Sequence, residues 1–173
     1  EREGIVPDIE ARKNEIWSNA GSLAESVGGV VPEGNKESGG LLDEVANLLE
    51  AGQPVLGEFE EEYLSLPKEV LITVMKKHQR YFPVENKTSG DLLNNFVTFA
   101  NGPCDVSAVK SGNEAVLRAR YQDAKFFYEN DCKESLETLR PKLEGITFQT
   151  ELGSMLQKTE RAENLAPKVA AAL

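Results

Sequence analysis

The sequence predicts a mixed α/β chain of the α+β type, mostly helical with a small antiparallel sheet. Three observations predict it. Apolar residues recur at helical spacing near the start of the chain and again over most of the stretch after Val106. Two short β-rich runs, Tyr81 to Glu85 and Asn95 to Ala100, flank a turn-like segment from Asn86 to Asp91. Glycine and proline clusters punctuate the chain between these segments.

Asp8 is placed to cap a helix beginning at Ile9, and Ile9, Ile16, Ala20, Leu23, Ala24 and Val27 fall near one helical stripe. Gly28-Gly29 stops that helix, and Val30 to Gly40 reads as a loop rich in Gly, Pro, Asn and Ser. Leu41, Leu42, Val45, Leu48 and Leu49 predict a short second helix, ended by Gly52 and Pro54, with a strand over Val55 to Phe59. The acidic run of Glu58, Glu60, Glu61 and Glu62 reads as a solvated face in preference to a metal site, because consecutive exposed glutamates rarely converge on one ion.

Pro67, with Ser65 just before it, suits the first turn of a third helix with Leu66, Val70, Leu71 and Val74 as its apolar stripe. The β-branched Ile72-Thr73-Val74 leaves a strand open there. The two β-rich runs then form a hairpin in which Pro83 requires an edge position or a bulge. After Val106 the spacing of Leu117, Tyr121, Ala124 and Tyr128 predicts a long helix. Pro141 breaks the pattern, Gly145 to Phe148 reads as an irregular link, and helices resume through Leu152, Leu156 and Leu165, with Pro167 starting the last.

A chain of 173 residues can bury a core as one medium domain or two small ones. At 40% hydrophobic and 28% charged residues the composition is that of a globular protein, not a disordered tail. No apolar run approaches the roughly 20 residues that span a bilayer, so no membrane partner is expected. Glu1-Arg2-Glu3-Gly4 is neither an initiator Met nor a signal peptide, and Val169 to Leu173 falls inside a helical pattern, so the chain reads as a piece of something larger. Cys104 and Cys132, with His78 as the one histidine, offer no zinc spacing, and they suit a reducing compartment. The net charge of −10 argues against a general RNA-binding surface but leaves room for a local basic patch.

Two clusters carry chemistry. Lys76-Lys77-His78-Gln79-Arg80-Tyr81-Phe82 joins cations, which pair with phosphate, to aromatics, which stack on bases. The same residues also suit a helix C-terminus that carries favourable positive charge ahead of a core strand. The second cluster runs from Gly112 to Phe127. Arg118 and Arg120 point to different sides of its helix, and Arg120 is spaced to pair with Asp123 as a structural ion pair, the alternative being guanidinium groups reserved for phosphate. No nucleophile motif accompanies His78, and there is no P-loop or dinucleotide fingerprint, so no catalytic residue is assigned.

The segments KKHQRYFPV (Lys76 to Val84), NFVTFANG (Asn95 to Gly102), GNEAVLRARYQDAKFFYEND (Gly112 to Asp131) and FQTELGSMLQKTERAENLA (Phe148 to Ala166) together resemble the β subunit of bacterial-type glycyl-tRNA synthetases. Glu10 to Lys13 and Leu41 to Phe59 are similar more loosely. The resemblance implies a part in ATP- and Mg²⁺-dependent glycylation of tRNA. It implies that the glycine and ATP site lies on the α subunit, or on a fused α region in plastid-type chains, so this stretch itself holds no cofactor. The implied partners are tRNA(Gly) and that α part. Read from their charge and clustering, the residues expected to meet tRNA are Lys76, Lys77, His78, Arg80, Arg118 and Arg120.

The resemblance further implies that residues 1–102 are the latter part of an α/β module similar to the editing region of the phenylalanyl enzyme's β subunit. It makes 103–173 a helical segment leading into an HD-like domain, though without an HD-type metal motif. The expected location is a chloroplast or mitochondrion if the source is a plant or alga, and otherwise a bacterial cytoplasm. A scaffold module related to the synthetase but without tRNA contact is the alternative.

Overall fold

The computed structural model describes residues 4–172, so residues 1–3 and Leu173, on which part of the reading of the chain ends rested, lie outside the described residues. It gathers the chain into two compact units, Glu1–Phe126 and Phe127–Leu173. The fold is α+β, as the sequence predicts.

In the first unit, helix α1 spans Ile9–Ser26 and starts where Asp8 Oδ1 accepts the Ala11 N–H at 2.7 Å. Its buried stripe of Ile16, Ala20 and Ala24 faces helix α2, Leu41–Leu48, and the sheet. Arg12 fastens the two helices by donating to the carbonyls of Ala46 and Val6 at 2.7 and 2.6 Å. Gly28, at φ +75°, turns the chain out of α1 in a conformation that a side chain resists. It leads into strand β1, Gly29–Val30, where the sequence predicts loop; a two-residue strand is too short to show alternation.

The sheet is antiparallel, in the order β1-β3-β4-β2. Strand β2 (Gly52–Glu58) pairs with β4 (Leu92–Asn101) from Gly52↔Asn101 to Glu58↔Asn95. Gly52 and Pro54 therefore open a strand as well as closing α2, and Pro54 is tolerated because β2 is an edge. Strand β3 (Phe82–Asn86) is central, and its register shifts between Pro83 and Glu85, so Pro83 sits at the bulge that its missing N–H requires.

Alternation along the strands feeds two cores. Phe82, Val84 and Val97 pack under α1 and α2. Leu92 and Phe96 pack on the opposite face with Phe59, Tyr63, Leu71, Met75 and Tyr81, where helix α4 (Val106–Asp131) contributes Leu117 and Tyr121. Ala124 packs against the same core, whereas Tyr128, four residues on, is exposed.

The second unit takes the end of α4, a short helix α5 (Leu136–Leu139), a 3₁₀ turn containing Pro141 (Arg140–Gly145), a small hairpin of β5 (Thr147–Gln149) and β6 (Gly153–Ser154), and helix α6 (Met155–Ala170). Ser154 and Gln157 form a reciprocal capping box at the start of α6. Pro167 lies inside α6 and does not start a new helix; only its last turn loses a backbone bond. Among the described residues no helix is long and apolar enough to cross a membrane.

Candidate nucleic-acid interface

Pro67 caps helix α3, Lys68–Thr73, which passes without a break into a π-turn over Val74–Gln79, so the strand that Ile72-Thr73-Val74 left open does not form. Burial decides it: Leu66, Leu71 and Met75 share one core, a helical and not an alternating pattern. The turn ends at Arg80, held at φ 58° and ψ 38°, the one residue other than glycine at positive φ among the described residues. The N–H groups of Arg80 and Tyr81 both donate to the Met75 carbonyl, Tyr81 at 2.9 Å. Tyr81 and Phe82 then enter opposite cores.

Anchoring Met75, Tyr81 and Phe82 leaves the polar residues between them outside. Lys77, His78 and Arg80 are exposed and Lys76 is half-buried. The cations sit at a helix C-terminus, where the dipole favours them, and still present their charge to solvent, whereas Tyr81 and Phe82, 4% and 0% exposed, belong to the cores and are not open to stack on bases. Arg80 pairs with Glu44 at 3.5 Å, while Lys76 and Lys77 form no ion pair among the described residues. Lys76, Lys77 and Arg80 line a hollow of ≈ 380 Å³ whose far wall includes Gly34, Glu37 and Glu44. A neighbouring hollow of ≈ 290 Å³ shares Gly34, Glu37 and Lys76 and adds Asn35 and Glu85.

Asn35 was not singled out by sequence reasoning. It is 1% exposed; its Nδ2 donates to the Pro32 carbonyl at 2.7 Å, and its Oδ1 has no partner. Its one signal in the sequence is an amide placed inside a glycine-rich loop.

Arg118 and Arg120 are carried by a different element, α4. The expected Arg120–Asp123 pair is not among the ion pairs of the described residues; both side chains are exposed, where such a pair gains little. The pairs on this helix reach instead to the segment before α3. Arg118 bonds Glu60, Lys125 meets Glu62 at 2.7 Å, and Glu114 accepts the Glu58 N–H at 3.0 Å while holding Lys110 at 3.5 Å. Part of the acidic run thus faces α4 and not open water. Burial pushes the Glu60 carboxyl up, but its own backbone N–H and the Arg118 guanidinium outweigh that and hold it below the usual range.

Beneath these pairs the Tyr121 hydroxyl donates to the Leu71 carbonyl at 3.3 Å and the Tyr81 hydroxyl to Asn113 Oδ1 at 2.9 Å. Burial raises both phenols, Tyr81 to about 12. No group of His, Cys, Asp and Glu side chains suited to a metal ion occurs among the described residues.

Helices, sheet and turn together define a small α+β module with a cationic turn on its surface. The family model described as "Glycyl-tRNA synthetase beta subunit" matches residues 1–173, and the chain belongs to that family. Similar proteins include glycine–tRNA ligase, chloroplastic/mitochondrial 2, of Arabidopsis thaliana, 48% identical over 172 residues, which are 98% of this chain and 16% of that protein. The glycine–tRNA ligase beta subunit of Synechocystis is 45% identical over 170 residues, 96% of this chain and 23% of its own length. That of Bacillus subtilis is 44% identical over 170 residues, 98% of this chain and 24% of its own length. The chain thus spans less than a quarter of the length of these relatives.

Proposed function

We propose that this chain is a tRNA-holding module of a glycine–tRNA ligase, which contributes to ATP- and Mg²⁺-dependent glycylation while the glycine and ATP site lies on the α subunit or a fused α region. The observation that carries the reading is the π-turn of Val74–Gln79, which presents Lys76 and Lys77 without ion-pair partners among the described residues, in a chain of this family. A phosphate needs cations not already neutralised by the protein, and this turn supplies them despite the acidic net charge. His78 and Arg80 border the same surface, and Arg120, exposed on α4, has no ion pair among the described residues.

The partners are then tRNA(Gly) and the α part of the enzyme. The named relatives fit a chloroplast or mitochondrion for a plant or algal source, and a bacterial cytoplasm otherwise. In this reading residues 1–102 belong to the editing-like α/β module and 103–173 lead towards the HD-like domain.

Lys76→Glu with Lys77→Glu in the full enzyme is expected to weaken tRNA binding and to lower the slope of log affinity against log salt by about 2, roughly one for each cation reversed. Filter binding across a salt series checks this, and an unchanged affinity and slope would reject the patch. Arg118 favours the scaffold alternative for α4, because its guanidinium is engaged by Glu60.

A further inference from the structure

The hollows on either side of Lys76 share Gly34 and Glu37, so they form one groove between the 33–40 loop and the π-turn. Its polar groups divide into two sets. Lys76 and Lys77 are donors without ion-pair partners among the described residues. Asn35 Oδ1 and the Glu37 carboxylate are acceptors without partners among the described residues, and Asn35 is buried while lacking one. The other charges in the groove are engaged, Arg80 with Glu44 at 3.5 Å and Glu85 with Lys68 at 2.9 Å.

A buried amide oxygen without a donor is costly, and the half-buried Lys76 in the same hollow, with the exposed Lys77 in the adjoining one, asks for an anion. The complement of such a site joins an anion to a hydroxyl donor. A ribose phosphate has that pairing, and deoxyribose lacks the 2′-hydroxyl that would supply the donor. The left-handed Arg80 and the π-turn that precedes it add backbone conformations of the kind that persist where a site requires them.

We propose that this groove seats one ribose-phosphate unit of RNA, with the phosphate on Lys76 and Lys77 and the 2′-hydroxyl donating to Asn35 Oδ1 or to Glu37. The proposal rests on the tRNA-holding reading and adds to it a means of telling RNA from DNA. It is tested on the full-length enzyme with fluorescent tRNA, displaced by a single-stranded RNA dodecamer or by the all-deoxy oligomer of the same sequence. The RNA should displace tRNA at a concentration about fivefold lower than the DNA, the order of discrimination that one hydrogen bond supplies.

Asn35→Ala and Glu37→Ala should narrow that ratio, and Glu37→Ala removes the acceptor from an exposed side chain, where folding depends little on it. Lys76→Ala with Lys77→Ala should weaken both competitors. Equal displacement by RNA and DNA, or a ratio that survives both acceptor variants, overturns the groove. If the lysine variants still weaken tRNA binding in that case, the tRNA-holding reading stands without it. If they change nothing, both fall.

Discussion

At the scale of single residues, charge placement is dictated by neighbours more than by the local run of sequence. Asp43 shows this. It lies in the first turn of α2, receives the Lys13 ammonium at 2.9 Å and accepts the Gly39 N–H at 2.8 Å. The Lys13 hydrogen bond first, and the Gly39 N–H second, hold its carboxyl below the usual range. A carboxylate lowered in the folded state stabilises the protein above its unfolded pKa, and that contribution disappears as pH falls through the folded value. Lys13, raised by its hydrogen bonds to Glu10 and Asp43, works at the other end: its contribution is complete below the unfolded lysine pKa and is lost as pH rises through the folded one. Urea midpoints should therefore fall on acidification below the carboxylate range and again at strongly alkaline pH. Asp43→Asn should flatten the acid limb; a limb of unchanged steepness would show that Asp43 is not titrating as a partner of Lys13.

At the scale of elements, the parts legible in the sequence are those with enough length for a period to repeat. α1, α2 and α4 follow from their apolar spacing, and the Asp8 cap from one residue type in one position. β1 was not legible, because two residues carry no alternation, and the π-turn was not, because no residue pattern distinguishes it from the end of an α-helix. The cationic residues of the candidate site were visible as a run, but Asn35, which lines a hollow with Lys76, could be found only once the loop was folded. Likewise Arg118 was spaced equally well for solvent or for a partner, and only the fold brings Glu60 to it, 58 residues away.

Two predictions belong at this scale. Arg118→Ala and Glu60→Ala should couple in a double-mutant cycle by up to about 1 kcal/mol, as a partly exposed pair does, whereas Arg120 and Asp123 should act independently. Gly57 pairs with Phe96 across β2 and β4, and the ring, stacked on Tyr81 at 4.6 Å, lies where a Cβ would stand, with Cζ only 2.2 Å away. Gly57→Ala should cost about 1–3 kcal/mol by overpacking, and less when Phe96→Leu removes the ring. Equal losses in both backgrounds, read from urea unfolding, would place the penalty elsewhere.

At the scale of the whole chain, stability should be uneven, because apolar burial is. Both cores belong to the first unit, where Ala20, Met75, Phe82, Phe96, Leu117 and Tyr121 are wholly inaccessible. In the second unit none of the described residues is buried, and Leu136 stands 80% exposed. What orders that unit is local: the capping box of α6, the Arg140–Glu163 pair at 2.5 Å, and the hairpin of β5 and β6. Interactions of this kind contribute tenths of a kcal/mol to about one each, far less than a core. Amides there should exchange through small local openings while those of the sheet wait for global unfolding. Hydrogen exchange followed by mass spectrometry on the 173-residue chain should find α6 deuterated long before β4. Within the single helix α4, the amides around Leu117 and Tyr121 should be slow and those beyond Phe127 fast. Protection of α6 equal to that of β4 would mean that the second unit is held by more than its own local bonds.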